Sequence, residues 1–479
     1  MASNACLPTT AIPVVQHSSA EPEPDLLAPS LAPTPNATKS PLDPVAIADR
    51  SIHDLYARQS QTLEQAIARY ALRNNRPPPM QFDKWYNFAR DKNCLIDDYD
   101  QITRDFAPFY QLAEEDPAHF QKMIDKGREL VYLDIVLLVQ FISHAVQWAH
   151  ILPDSMFLIN GRDEPRVVFN IMNPSTLHRC RLPTSSNTEA DAVPSIADMA
   201  PLWTPSKTLH VSPIFTPFSC VPKSPPVIRS SSSSDFTTDL WPILSMTKIS
   251  PCFSDILFPG QYYYESSGWS GKFAKPNDVQ WDDKKPQLYW RGQSNGGHII
   301  HNNHHKFSRF RLVKIAQNRS DIIDAKMTGF WEWHCTFDCE RDPIIEEYKI
   351  GSEGSPREEV YNYKYLLDVD GNTFSGRYLG LLRSGSLVFK ATAFDEYFND
   401  WLRPYEHYIP VKIDMSDLVE KVEWAIAHNA EARQIQETGM QFAQRVLTDS
   451  QNDCYFSRVL LEWARLQSYA KQSTVPFDE

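Results

Sequence analysis

The strongest constraint on this chain lies in its C-terminal third, where short apolar runs alternate with amphipathic helical stretches. Tyr363–Val369 reads as a strand, Gly376–Arg383 as a short helix, and Ser386–Lys390 and His407–Val411 as further strands. Asp417–His428 and Ala430–Val446 then carry Leu418, Val422, Ala425, Ile426, Ile435, Phe442, Ala443 and Val446 at helical spacing, with Ser416 and Asn429 available as N-caps. Strands separated by helices pair in parallel, so the alternation specifies an α/β fold with a parallel sheet. In open sheets of that kind, ligands sit beyond the carboxyl ends of the strands. Twelve of the 16 glycines lie between Gly268 and Gly385, which puts tight, ligand-approachable loops in the same region.

Upstream the chain is more irregular. Nine of the 36 prolines fall in residues 1–44 among Ser, Thr and Ala, the composition of a disordered tail. From Ser51, the residues Ile52, Leu55, Tyr56, Leu63, Ala66, Ile67, Tyr70 and Ala71 follow helical spacing. Ser51 with Asp54 makes a capping box, and Pro77–Pro79 end the helix. Leu130–Ile151 reads as a buried helix, and Met156–Ile159 and Val167–Phe169 as short strands around a turn. Residues 174–259, rich in Pro and containing the run Ser230–Ser234, read as a long surface insertion, partly disordered.

Charge and composition exclude several classes. Lys+Arg 47 against Asp+Glu 60 gives a net charge of −13, the opposite of a nucleic-acid binder's electrostatic footprint. A 42% hydrophobic share with 12% aromatics supplies a core and excludes wholesale disorder. The most apolar stretch, Leu130–Ile142, is interrupted by Asp134 and Gln140 and falls short of the ~20 residues of a membrane span. The first residues, MASNACLPTTAIPVV, do not form a recognisable signal peptide. Eight cysteines in 479 residues are too sparse for a disulfide framework.

Three stretches carry candidate chemistry. Gly371, Asn372, Thr373, Phe374, Ser375, Gly376 and Arg377 follow a strand and open a helix. Backbone N–H groups, a helix N-terminus and a guanidinium together suit a diphosphate, although a tight βα loop with a surface arginine has the same spelling. Leu288–Gly297 runs from an apolar strand into a loop with Arg291, Gly292 and Ser294, again a place where backbone can approach phosphate. Asn160–Arg166 places Asp163 between Arg162 and Arg166. That carboxylate is a candidate general base, and equally a solvated turn residue. His298, His301, His304 and His305 lack regular spacing, and the Cys335–Cys339 pair has no second pair at zinc-site distance, so both read as structural features. There is no Walker A, GxSxG or HExxH motif.

Several words, taken in order, resemble family 90 of the glycosyltransferases, the capsule-associated and Rumi-type enzymes. They are Tyr363–Gly371, Ser375-Gly376-Arg377, Ser384–Lys390, Trp401–Pro404 and His407–Lys412, with Tyr289-Trp290-Arg291-Gly292 upstream. Arg76–Pro79 followed by Phe82–Ala89 resembles the fungal branch, and Asn160–Arg166 resembles the segment bearing the family's catalytic aspartate.

The resemblance implies a GT-B-like enzyme of two Rossmann-like domains with a facing crevice, plus N-terminal helices. It implies an inverting transfer of glucose or xylose from a UDP-sugar to a hydroxyl of a protein or glycan, with no bound metal or other cofactor required. Asp163 would then be the base, and Arg377, Ser375 and Arg291 would stabilise the departing diphosphate. The domains expected are a tail over 1–48, N-terminal helices and the start of an acceptor-side domain over 49–173, and the insertion over 174–259. The acceptor side continues over 260–320, a UDP-sugar-binding domain covers 321–447, and a C-terminal helix and tail cover 448–479. The family usually enters the secretory pathway, yet neither a signal anchor nor a C-terminal retention tetrapeptide is visible here. The alternative function is a catalytically inactive family copy that binds sugar or nucleotide, or acts as a scaffold.

Overall fold

A computed structural model describes residues 43–130, 148–153, 157–160, 165, 167, 215–216, 219–222, 240–250, 253–264, 279–297, 299, 303–332, 335 and 339–473. Five helices open the chain: α1 (Pro44–Ala57), α2 (Leu63–Asn74), α3 (Phe82–Asp91), α4 (Asp100–Glu115) and α5 (Pro117–Leu130). The single helix expected from Ser51 is therefore two. The first starts at Pro44, where proline at N1 loses no intrahelical hydrogen bond, and the Asp43 carboxylate accepts from Val45 N at 3.3 Å. Ser51 lies inside α1 and donates to Glu406 at 3.0 Å instead of capping. Thr62 caps α2 by accepting from Gln65 N at 3.3 Å. Most of the expected helix over 130–151 falls outside the described residues.

A small parallel sheet orders β1 (Leu158–Ile159), β4 (Ile243–Ser245) and β5 (Ile256–Leu257) side by side, while β2 (Phe215–Thr216) and β3 (Ser219–Pro222) pair only with each other. Two of the three strands of that sheet come from residues assigned to the insertion. Leu240, Trp241, Ile243, Leu244, Met246, Ile256, Leu257 and Phe258 are all buried. The insertion therefore ends by Leu240; the prolines at 242 and 259 flank very short strands and disguise core as loop.

A larger sheet of five parallel strands follows: β6 (Lys285–Gln293), β7 (Ile323–Gly329), β8 (Tyr363–Val369), β9 (Leu387–Ala391) and β10 (Ile409–Pro410), in the spatial order β10-β9-β8-β6-β7. It is accompanied by α6 (Ser308–Asn318), α7 (Arg341–Tyr348), α8 (Tyr378–Arg383), α9 (Leu418–Ala427) and α10 (Asn429–Arg445). Side chains alternate across the sheet: Leu366 joins the core shared with the N-terminal helices, whereas Tyr365 and Leu367 join the core under α6 and α9. Because β6 and α6 belong here, the second sheet begins well before residue 321. The loops around Arg291 and Gly371 leave neighbouring strands of one sheet rather than facing each other from two domains. Neither expected cap is used. Asp417 stands at the N-terminus of α9, and the Asn429 amide accepts from Trp281 and Lys364 at 3.1 and 2.9 Å.

The last helix, α11 (Asp449–Ser473), returns to the beginning of the chain. Trp85 donates to Cys454 O at 2.9 Å, and Glu462 accepts from Tyr70 and Tyr110 at 2.8 and 2.9 Å. Among the described residues there are two disulfides, Cys94–Cys454 and Cys335–Cys339, isolated links rather than a framework. The fold is thus α/β, with two parallel sheets and N-terminal helices. No helix among the described residues is long and apolar enough to cross a membrane.

Candidate functional site

The strand order of the large sheet reverses between β8 and β6, since the chain runs outward through β9 and β10 on one side and β7 on the other. Loops leaving the carboxyl ends of strands at such a point diverge and leave a crevice. Here the crevice is a pocket of 250 Å³ lined by Tyr262, Asn295, Arg309, Gly371, Asn372, Thr373, Phe374, Ser375, Gly376 and Arg377. All seven residues expected of the 371–377 loop line it.

The loop is folded tightly on itself and tied to its neighbour. Gly371 N donates to Thr373 O at 2.8 Å, and Gly296 N donates to the Asn372 side chain at 3.1 Å. The glycines serve close approach. A Cβ at Gly371 would stand 2.9 Å from Asn295 Nδ2 and 3.1 Å from an Arg309 nitrogen. A Cβ at Gly376 would stand 3.0 Å from the Tyr262 ring. The helix that follows, α8, starts only at Tyr378 and has 6 residues, so the charge of the site comes chiefly from side chains.

Those side chains are two arginines. Arg309, 8% exposed, donates through Nε to Asp370 O at 2.9 Å, through an η nitrogen to Gln293 O at 2.9 Å, and to the Asn295 amide oxygen. Arg377, partly buried, donates to Arg291 O at 2.8 Å. Neither guanidinium pairs with a carboxylate among the described residues; carbonyl and amide oxygens hold both. Burial, and then the charge of Arg377, push Arg309 down to about 9, and burial lowers Arg377. Both remain cationic at neutral pH. Two neighbouring cations, one buried and one partly buried, without a directly bonded carboxylate among the described residues and beside an open glycine loop, suit a multiply charged anion.

Beneath the loop lies a cluster of fixed charges. Lys390 Nζ stands 3.2 Å from Asp368, 3.5 Å from Glu396 and 3.7 Å from the centre of the Tyr378 ring. Against its own burial, Asp368 and Glu396 hold Lys390 up at about 12. Burial raises Glu396, which accepts from the Tyr263 hydroxyl, to about 7. Burial likewise raises Asp370 to about 7, although one of its oxygens accepts from Ala393 N at 2.7 Å.

The residues expected from the 288–297 stretch play structural parts. Arg291 bonds Asp324 at 2.9 Å and lies 4.3 Å over the Tyr289 ring. Gly292 makes room for Trp290, since a Cβ there would stand 2.5 Å from the indole. The Ser294 hydroxyl accepts from Trp331 N at 2.8 Å. These three support the pocket from below and do not line it. Of the histidines, His304 packs edge-on against Phe310 and Tyr348, while His298 and His301 fall outside the described residues.

Asp163, with Gly161, Arg162, Glu164 and Arg166, also lies outside the described residues. The two flanks of that segment are placed. Asn160 N donates to Leu244 O at 2.8 Å and its amide donates to Ser245 Oγ at 3.1 Å; Ser245 in turn donates to Asp255 at 2.5 Å. Val167 N donates to the other Asp255 oxygen at 2.8 Å. Asp255 thus holds the Val167 flank directly and reaches the Asn160 flank through Ser245, while Leu244 O holds Asn160 N independently.

Sequence reasoning missed Arg309, Asn295 and Tyr262. Arg309 had a signal: it shares a helical face with Leu312, Val313 and Ala316, all buried, so a cation occupies an apolar stripe.

The family model described as Glycosyl transferase family 90 matches residues 222–477, more than half of the chain. Protein O-glucosyltransferase 2 of Danio rerio is 31% identical over 188 residues, 39% of this chain and 34% of that protein. Protein O-glucosyltransferase 1 of Homo sapiens is 26% identical over 236 residues, 48% of this chain and 58% of that protein. The matched part thus spans about a third to somewhat over half of these relatives' own length. Among solved structures, that titled "Crystal Structure of TarM" aligns at 9% identity with a TM-score of 0.27, over 40% of this chain and 36% of the other.

Proposed function

The chain belongs to glycosyl transferase family 90, and from that premise we propose that it transfers glucose or xylose from a UDP-sugar to a hydroxyl of a protein or glycan, with inversion. The observation that supports this most is the pair of arginines, Arg309 and Arg377, without carboxylate partners beside the 371–377 loop. A UDP-sugar carries its charge on the diphosphate, and that charge grows on UDP as the glycosidic bond breaks. Positioned cations that meet growing charge act mainly on the transition state. The two guanidiniums take the place a cation would fill, so no bound metal is required in this reading.

The acceptor hydroxyl approaches the anomeric carbon from the face opposite UDP. Its oxygen forms the new bond to that carbon, the bond to the phosphate oxygen breaks with its electrons leaving on UDP, and the hydroxyl proton passes to Asp163. The segment's flanks, Asn160 on Ser245 and Val167 on Asp255, are both held at the small sheet, which is compatible with this role for Asp163. The names of the relatives favour a protein acceptor and glucose as donor sugar. Incubation with radiolabelled UDP-glucose and UDP-xylose tests the reading. Label released as free sugar or carried onto an acceptor protein is the expected result. UDP binding with no turnover of either donor would favour the inactive copy instead.

A further inference from the structure

One wall of the pocket does not come from the five-stranded sheet. Tyr262 lies just after β5, on the side of the small sheet, and lines the same pocket as Arg309 and Arg377. Its ring meets Phe374 edge-on at 5.7 Å and covers Gly376 so closely that a methyl group there would stand 3.0 Å from it. The next residue anchors the turn. Tyr263 is buried, packs on Phe398 at 5.3 Å and donates its hydroxyl to Glu396. Tyr262 is thus a half-buried aromatic side chain on a fixed backbone at the mouth of an anion pocket.

Resting on the UDP-sugar reading above, we propose that Tyr262 contacts the transferred sugar, its ring packing against the C–H face of the pyranose. The diphosphate of such a donor separates uridine from the sugar. With the diphosphate at Arg309 and Arg377, the sugar must project away from the large sheet toward the side from which the acceptor arrives. Among the described residues that line the pocket, Tyr262 is the one contributed from beside the small sheet, so it stands on that side. A tyrosine ring offers a large apolar face at little conformational cost, and its neighbours already fix its position.

The test compares calorimetric affinities for UDP and for UDP-glucose in the wild type, Tyr262→Phe and Tyr262→Ala. All three should bind UDP within about twofold of one another, which also reports that the variants are folded. Relative to UDP, the affinity for UDP-glucose should fall about tenfold in Tyr262→Ala and stay near wild type in Tyr262→Phe. Equal weakening of both ligands in Tyr262→Ala would assign the ring to the nucleotide or the fold and overturn the proposal. Unchanged affinity for both would overturn it too. A wild type that binds neither ligand would overturn the UDP-sugar reading, and this assignment with it.

Discussion

Arg291 lies within β6 and Arg377 in the loop after β8, and their side chains have different surroundings. The Arg291 side chain is tied to Asp324 and stacked on Tyr289, so Arg291→Ala should lower the melting temperature and leave UDP affinity within about twofold, as expected of a partly buried structural pair away from the ligand. Asp163→Asn should retain UDP-sugar binding and lose about two to four orders of magnitude in transfer rate. Loss of binding and rate together would assign the segment a structural role, and near-normal transfer would remove Asp163 as base. Glu396 carries a pH signature. Its folded-state value is raised to about 7 by burial, so the folded protein holds a proton that the unfolded chain releases at lower pH. Stability from this group is present below the unfolded value and lost as pH rises toward 7. Glu396→Gln should therefore flatten the decline in stability between about pH 4.5 and 7, as measured by chemical denaturation. Among these residues, the 371–377 loop was legible because its spelling is local and its neighbours on β8 are strongly apolar. Arg309 was not, because it reaches the loop from another part of the sequence. For Arg291, the spelling of the strand end did not show that its side chain turns to Asp324 while its carbonyl holds Arg377.

At the level of elements, sequence periodicity located the long strands and helices of the C-terminal third. The Tyr363–Val369 strand has the bounds read from sequence, whereas His407–Val411 shortens to Ile409–Pro410. At the small sheet, β1 falls inside the expected Met156–Ile159 run, whereas β4 and β5 lie in residues that read as insertion, because strands of 3 and 2 residues are too short to show alternation. Deleting residues 184–235 should leave UDP binding intact, since the small-sheet core contributed by this region begins at Leu240. Extending the deletion through Phe258 should give insoluble protein; soluble, UDP-binding protein from the longer deletion would contradict the packing described here. Asp255→Ala removes the acceptor of Val167 N and of the Ser245 hydroxyl that holds Asn160, at a cost of about 1–3 kcal/mol for each buried donor left unpaired. The variant should lose transfer rate while UDP affinity is kept, because Asp255 lies outside the donor pocket. A parallel loss of UDP affinity would show that the two sites do not separate.

Across the whole molecule, α11 and the Cys94–Cys454 disulfide, spanning 360 residues, join the end of the chain to its opening helices. A cross-link over so long a loop constrains the unfolded chain strongly, and its loss should cost on the order of 2–5 kcal/mol. Cys94→Ser with Cys454→Ser should melt markedly lower and still bind UDP, since the pocket is built from the large sheet and Tyr262. The central claim is that Arg309 and Arg377, at the reversal of strand order, hold the diphosphate of a UDP-sugar. Calorimetric titration of UDP into the wild type, Arg309→Ala and Arg377→Ala tests it most directly. The account predicts saturable binding by the wild type and a loss of about 1.5–3 kcal/mol, roughly tenfold or more in affinity, in each variant. Equal affinity in all three proteins would contradict it.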